Sequence, residues 1–123
     1  MSNLWSRADI LTSMDFKRVK ISTTVPLEHA DQLRDALGRA GAGQIGEYSF
    51  CSFSVTGKGR FMPSENANPH IGEANKLEAV EEDQIEVVCD RTIAKQVVAA
   101  LKSAHPYEEV IIDIMPLIDE EML

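Results

Sequence analysis

The first clear pattern of hydrophobic and polar positions begins at Lys17, where apolar or β-branched residues take every second position: Val19, Ile21, Thr23 and Val25. An alternation of period two is typical of a strand with one buried face. Pro26 then suits the first turn of a helix, because an amide hydrogen has no partner there. Apolar residues recur at helical spacing over the following turns, at Ala30, Leu33, Leu37 and Ala40. Gly41 and Gly43 are typical helix stops, so the segment predicts a strand followed by a helix.

The remainder of the chain supplies three more strands and a second helix. An aromatic-rich segment from about Gln44 to Val55 predicts the second strand, and a third is expected between Leu77 and Cys89. Asp90 is placed to cap a second helix, whose apolar residues form one stripe: Ala94, Val97, Val98, Leu101 and Ala104. Residues 109–117 predict the last strand. The order β-α-β-β-α-β indicates an α+β protein of ferredoxin-like (βαββαβ) topology, with a four-stranded antiparallel sheet and two helices on one face.

The length of 123 residues fits one domain, which we assign to residues 17–118. Residues 1–16 form an N-terminal extension, either poorly ordered or a short docking helix, and residues 119–123 form an acidic tail. The predicted sheet leaves one face uncovered. The second and fourth strands are apolar on both sides, as shown by Phe50 with Phe53 and by Ile111 beside Ile112. In a strand with one face in water, apolar and polar residues would alternate. We therefore expect a homo-oligomer that buries the open face.

Charge and composition exclude several classes of function. The formal net charge is -8, and locally basic residues are confined to Lys17, Arg18 and Lys20, so the chain lacks the basic face of a nucleic-acid-binding protein. No apolar stretch approaches the roughly 20 residues of a membrane span, and the N-terminus lacks the apolar core of a signal peptide. Cys51 and Cys89 give no disulfide framework. These features predict a cytoplasmic protein that contacts neither nucleic acid nor membrane.

Residues 56–75 stand apart, because about 20 residues without periodicity join two predicted strands where a hairpin needs two to five. Loops of this length in compact domains are either functional or disordered. Gly57, Lys58, Gly59 and Arg60 offer backbone amides and two cations to an anion, although their spacing is not that of a P-loop. The alternative is a flexible turn that needs no ligand.

The segment HPYEE at positions 105–109 joins the second helix to the last strand. His105 and Glu108 are candidates for a metal site or an acid–base pair. A structural role is the alternative, because a histidine near a helix C-terminus interacts favourably with the dipole and Pro106 ends the helix. The other histidines and cysteines show no metal-ligand spacing. No catalytic triad or nucleophile elbow is visible either, so catalysis is not expected.

Five stretches occur in an order that is typical of a known family: Ala40-Gly41-Ala42-Gly43 with Ile45-Gly46 and Tyr48, Cys51-Ser52-Phe53, Gly57-x-Gly59-x-Phe61, Ala67-Asn68-Pro69 with Ile71-Gly72, and Ala104-His105-Pro106-Tyr107-Glu108-Glu109. They resemble the PII-like insert domain of the YqfO branch of the Nif-three-like family over about Val19 to Leu117. The His-Pro-Tyr element is also similar to one in CutA, a trimeric relative associated with divalent-cation tolerance. His70 departs from the pattern, since an aromatic residue is expected after Asn68-Pro69.

The resemblance implies a ferredoxin-like fold and cyclic assembly, with a trimer favoured. In PII-like proteins the excursion between the second and third strands engages ligands or partners, and residues 56–75 take that place. The domain is expected to stand here without the larger metal-binding body of the family. No di-metal centre or hydrolase activity is therefore carried over.

Two functions follow as predictions. The first is a non-enzymatic regulatory or ligand-sensing module that binds a small anion, a nucleotide or a protein partner through the 56–75 loop, with Gly57, Lys58, Gly59, Arg60 and Asn68 as the binding residues. The alternative is a CutA-like protein whose cofactor is a divalent metal, held by His105, Glu108 and Cys51.

Overall fold

The computed structural model of the protein describes residues 6, 7, 9 and 15–123, so most of the predicted N-terminal extension lies outside the described residues. Its elements are β1 (Arg18–Pro26), α1 (Leu27–Arg39), β2 (Phe53–Phe61), β3 (Glu78–Asp90), α2 (Ala94–Ala104) and β4 (Ile112–Leu117), with short 3-10 helices at Arg91–Ile93 and Glu120–Met122. The strands form one antiparallel sheet in the order β2-β3-β1-β4. The predicted ferredoxin-like α+β fold is confirmed. No helix in the described part of the chain is long and apolar enough to cross a bilayer.

The core lies between the sheet and its two helices. Eleven core residues of the described chain are each at most 4% exposed: Val19, Ile21, Val25, Ala30, Leu33, Leu37, Ala42, Ile85, Val87, Val97 and Leu101. In the register of the central pair, Ile21 lies opposite Val87, so β1 and β3 turn the same face to the helices. Because side chains alternate along a strand, positions 20, 22 and 24 on β1 and 82, 84 and 86 on β3 face away from the helices. They belong to the open face of the sheet.

A polar network fixes β2 to α1 on the helix side. Asp83 accepts a hydrogen bond of 2.7 Å from the hydroxyl of Thr56 and another from the guanidinium of Arg34, which also donates to Ser54. Asp83 is buried, and a buried carboxylate is tolerated when it is paired in this way. The hydrogen bond from Thr56 is the main reason why the pKa of Asp83 lies below its ordinary value; burial opposes this effect, and Arg34 adds to it.

The second strand was predicted in the wrong place. Residues 44–52 form no strand beyond an isolated bridge between Ile45 and Tyr48, and β2 begins only at Phe53. Gly43, Gly46 and Phe50 all have positive φ angles, of 82°, 57° and 59°, and such angles interrupt an extended chain. Tyr48 and Phe50, two of the three aromatic residues that suggested a strand, lie before β2, and only Phe53 belongs to it. Because β2 is shifted along the chain, residues 56–61 belong to this strand, and the connection to β3 is the shorter segment 62–77, called the β2–β3 loop below.

Gly57, Lys58, Gly59 and Arg60 are therefore strand residues, which corrects the prediction of a flexible loop from position 56. They pair with residues 79–82 of β3, Gly57 opposite Glu82. The two glycines suggested a flexible turn, but both adopt an extended conformation because their backbones pair with β3. Two boundaries also differ from the prediction. Asp90 ends β3 without a side-chain cap bond, and β4 starts at Ile112 rather than at 109.

Candidate functional site

A cleft of about 670 Å³ lies at one end of the open face. Three parts of the chain surround it: strand β2, the β2–β3 loop, and the 105–111 segment between α2 and β4. Its lining includes Gly57, Gly59, Phe61, Glu82, Tyr107 and Ile111. The volume lies within the range of about 300–1,000 Å³ that is usual for small-molecule sites.

Gly59 creates the space for the floor of the cleft. A Cβ atom built at Gly59 would overlap Oε1 of Glu82, so the missing side chain is what allows the Glu82 carboxyl group to lie over β2. A Cβ atom built at Gly57, two residues earlier on the same face, meets nothing within 4 Å. The two glycines thus have different roles. Gly59 accommodates a protein side chain, whereas Gly57 leaves open space.

The floor carries two buried polar atoms that lack partners among the described residues. They are Oε2 of Glu82 and the hydroxyl of Tyr107, and Glu82 is only 6% exposed. Burial raises the pKa of Tyr107, and the neighbouring Glu82 carboxyl raises it further. Buried polar atoms without hydrogen bonds are rare in proteins and call for an explanation. The two groups also interact with each other, since a hydrogen bond to Glu82 is one cause of the raised pKa of Tyr107, and a molecule in the cleft would compete for the same phenol and carboxyl oxygen.

His105 is held by hydrogen bonds from both ring nitrogens. Its Nε2 lies 2.7 Å from the carbonyl oxygen of Thr24, and its Nδ1 accepts a bond of 3.1 Å from the amide of Tyr107. Since the carbonyl accepts only, Nε2 carries the proton and the ring is neutral. Burial lowers the pKa of His105, and this outweighs the opposing effect of the bond to Thr24. The imidazole therefore joins the 105–111 segment to β1 and offers no free lone pair.

Glu108 closes the cleft on the side of the β2–β3 loop. Its Oε1 accepts a hydrogen bond of 2.8 Å from the backbone amide of Asn68. This bond links the loop to the 105–111 segment, 40 residues further along the chain. Asn68 thus contributes its backbone to the architecture of the site.

The predicted metal ligands are not brought together. The backbone of Cys51 bonds to Gly43, whose amide in turn bonds to Val88 of β3. His105 is bonded to Thr24, which lies opposite Gln84 of β3. Gln84 and Val88 are four positions apart, about 13 Å along the strand, so His105 and Cys51 lie near different parts of β3. A different cluster is present among the described residues: Glu28, His29 and His70 have potential ligand atoms within 4.8 Å of one another.

The predicted ligand-binding residues on β2 all line the cleft, but not in the predicted manner. Because the Cβ position of Gly59 points to Glu82, strand alternation directs the side chains of Lys58 and Arg60 to the other face. Glu82 and Tyr107 were not predicted as site residues. No local signal marked Glu82, which stands in the polar run at positions 81–84, and nothing in that run indicated that its carboxyl would lie above a glycine.

No protein-family model matches the chain. It is 50% identical over 101 residues to a Halalkalibacterium halodurans protein named GTP cyclohydrolase 1 type 2 homolog, covering 82% of this chain and 27% of the relative. The Bacillus subtilis protein of the same name is 49% identical over 98 residues, covering 80% and 26%. The chain thus spans about a quarter of the length of these relatives.

Solved structures give a consistent result. A Bacillus cereus protein related to NIF3 superposes with a TM-score of 0.74 at 41% identity, covering 87% of this chain and 27% of that one. The periplasmic divalent cation tolerance protein CutA from Archaeoglobus fulgidus superposes with a TM-score of 0.60 at 23% identity, covering 86% and 91%. The second likeness concerns the fold alone. The chain is therefore a homologue of a single domain of the NIF3-related proteins that are named GTP cyclohydrolase 1 type 2 homolog, and it has the ferredoxin-like fold that this domain shares with CutA.

Proposed function

We propose that this domain is a non-enzymatic, regulatory ligand-binding module that takes a small molecule into the cleft beside β2. The observation that carries the proposal is the pair of unpartnered polar atoms, on Glu82 and Tyr107, in the floor of the cleft. An atom left unpaired in the interior costs about 1–3 kcal/mol, and a ligand towards which the Glu82 or Tyr107 side chain turns recovers part of this free energy. His105, the candidate acid–base residue, is engaged by protein hydrogen bonds on both nitrogens, which favours a binding role over a catalytic one.

A nucleotide fits the cleft better than a bare anion does. Three carboxyl groups line the cleft, on Glu82, Glu108 and Glu109, whereas strand alternation directs the cationic side chains of Lys58 and Arg60 to the other face of β2. A small anion would meet these carboxyl groups, whereas a nucleobase presents amino and ring N–H donors to Oε2 of Glu82 and stacks on aromatic surface. The phosphates of such a ligand would extend towards the β2 edge. The two free cysteines of the described chain fit a reducing compartment, so we place this function in the cytoplasm.

The first experiment blocks the cleft without disturbing the fold. Gly57→Val adds a side chain where a Cβ meets no neighbour, and valine favours a strand. Asp113→Val is the matched control, since position 113 lies on the same sheet face but outside the lining. The melting temperature is measured with ATP, GTP, AMP or inorganic phosphate. A ligand at 100 times its Kd adds about 2.7 kcal/mol of stability, which is several degrees in Tm.

We expect a nucleotide to raise the Tm of the wild type and of Asp113→Val, and to leave Gly57→Val unchanged. Gly59→Ala should lose the response as well, because the new methyl group displaces the Glu82 carboxyl. Inorganic phosphate should give no shift in any variant. A nucleotide response that Gly57→Val retains in full contradicts binding in the cleft, and a panel without any response contradicts the ligand class.

We also propose that the protein is a homo-oligomer, with a trimer expected from the family resemblance. Apolar side chains remain exposed on the open face at Phe53, Val55 and Met115, of which Phe53 is 65% exposed. Light scattering after gel filtration should give about three times the chain mass of 13.6 kDa. Phe53→Lys should give the monomer, whereas Tyr48→Lys, at an aromatic position that is 74% exposed on the turn before β2, should leave the mass unchanged. A monomeric wild type at micromolar concentration contradicts the proposal.

A further inference from the structure

We propose that Glu28, His29 and His70 form a binding site for a divalent transition-metal ion such as zinc, and that the ion fastens the β2–β3 loop to the start of α1. The two histidines are 41 positions apart in the sequence, and the tertiary structure brings them together. His29 lies in the first turn of α1 and His70 in the β2–β3 loop. The site differs from the set expected from the sequence at His105, Glu108 and Cys51.

The distances are close to those that a metal ion requires. The potential ligand atoms of the three residues lie within 4.8 Å of one another, and Oε1 of Glu28 is 3.7 Å from Nε2 of His29. With bonds of about 2.0–2.1 Å, neighbouring ligands around a tetrahedral zinc ion are about 3.4 Å apart. The three atoms must therefore approach by little more than about 1 Å, and two of the side chains are free to do so. His70 is exposed, and the Glu28 side chain is 70% exposed.

The kinds of ligand indicate the kind of ion. Two imidazoles and one carboxylate suit zinc, copper or nickel, whereas magnesium and calcium prefer oxygen ligands alone. Three protein ligands leave a fourth position of a tetrahedral ion for water or an exogenous ligand. Exposure of the site also keeps the cost of desolvating the carboxylate small.

Ring contacts hold His70 close to His29 and beside the cleft. The rings of His29 and His70 meet edge to face, with centroids 5.4 Å apart and planes at 74°. The His70 ring also lies 6.3 Å from that of Tyr107, and His70 belongs to the lining of the cleft. Tyr107 and Glu82, which carry the unpartnered buried atoms, line the same cleft. A metal ion at this position would fix the loop that closes one side of the cleft.

The test uses untagged protein and measures binding of Zn²⁺ and Co²⁺ by calorimetry, with the visible absorption of Co²⁺ as a report on its coordination. We expect one ion per chain. His70→Asn and His29→Asn should each weaken binding by at least tenfold, since even the loss of an outer-shell partner of a metal ligand costs about 10- to 100-fold. Glu65→Gln, an exposed carboxyl in the same loop, is the matched control and should bind like the wild type.

Two further measurements separate this site from the alternatives. Cys51→Ser should leave the affinity unchanged and the Co²⁺ spectrum free of a thiolate band; loss of binding in this variant assigns the ion to Cys51 and overturns the proposal. Zn²⁺ should slow tryptic cleavage after Lys76, which lies in the β2–β3 loop; an unchanged rate refutes the fastening of the loop. Absence of stoichiometric binding by the wild type also overturns the proposal.

The metal test is independent of the proposed organic ligand. It is carried out with no nucleotide present, and Gly57→Val should bind the ion like the wild type because its new side chain lies on β2 rather than in the metal cluster. His70→Phe serves as a second variant, since it keeps an aromatic ring beside Tyr107 while removing the ligand atom. If His70→Phe melts like the wild type and binds no ion, a folding defect is ruled out as the cause.

Discussion

Replacement of His105 by alanine should destabilise the protein strongly, because the imidazole is a structural connection. The side chain is 7% exposed and bonds to the carbonyl of Thr24 and the amide of Tyr107. His105→Ala removes the partner of two backbone groups in half-buried residues, at about 1–3 kcal/mol each. We therefore expect a loss of about 2–6 kcal/mol in the free energy of unfolding, a large part of the roughly 5–15 kcal/mol that is usual for a domain.

The pH dependence supplies a second readout with a definite sign. Burial lowers the pKa of His105 in the folded protein, whereas the unfolded chain takes up this proton near pH 6.5. The unfolded state thus binds more protons in this range, and stability falls as pH decreases from about 7.5 through the unfolded value of about 6.5 towards the folded one. His105→Ala lacks this contribution, so its stability should depend less on pH over the same window.

The assay is urea unfolding at several pH values between 7.5 and 5.5, followed by circular dichroism. His70→Ala is the matched control for the loss of stability at pH 7.5 alone, because His70 is exposed and contacts the rings of His29 and Tyr107, whereas its charge contributes to the lowered pKa of His105. The control should lose less than about 1 kcal/mol at pH 7.5, as is usual for surface positions. A loss below 1 kcal/mol in His105→Ala, or a pH dependence equal to that of the wild type, would refute the structural role and restore His105 as a candidate ligand or acid–base group.

Two further predictions concern β2. Thr56→Val removes the hydroxyl that lowers the pKa of Asp83, and it should lower the free energy of unfolding at pH 7 by about 1–2 kcal/mol. Below pH 3.8, the ordinary pKa of an aspartate, the variant should lose less stability with falling pH than the wild type does; urea unfolding measures both effects. Limited trypsin digestion followed by mass spectrometry should show first cleavage after Lys76, whose side chain is 66% exposed in the β2–β3 loop, while Lys58 and Arg60 resist because they are paired with β3. Early cleavage at 58 or 60 would contradict the observed extent of β2.

The sequence by itself determined the fold class and most of its elements. β1 and both helices could be predicted because their buried residues recur with the periods of a strand and a helix, a signal contained within about ten neighbouring residues. The motifs around Gly57 and His105 also pointed correctly to the NIF3-related and CutA-like group. His105 was placed correctly at the end of α2 because Pro106 forces the helix to stop.

Only the tertiary structure decided where β2 lies and what the site contains. Strand β2 contains glycine at positions 57 and 59 and is stabilised by its pairing with β3, some 25 residues later in the sequence. The Glu82 carboxyl also fills the space over Gly59. Strand propensity depends on nearby residues in the sequence and does not include these distant contacts. The aromatic residues at 44–52 therefore gave a stronger strand signal than β2 itself. The proximity of His29 to His70 has the same origin. Neither residue carries a local signal, and the packing of the β2–β3 loop against the start of α1 creates their cluster.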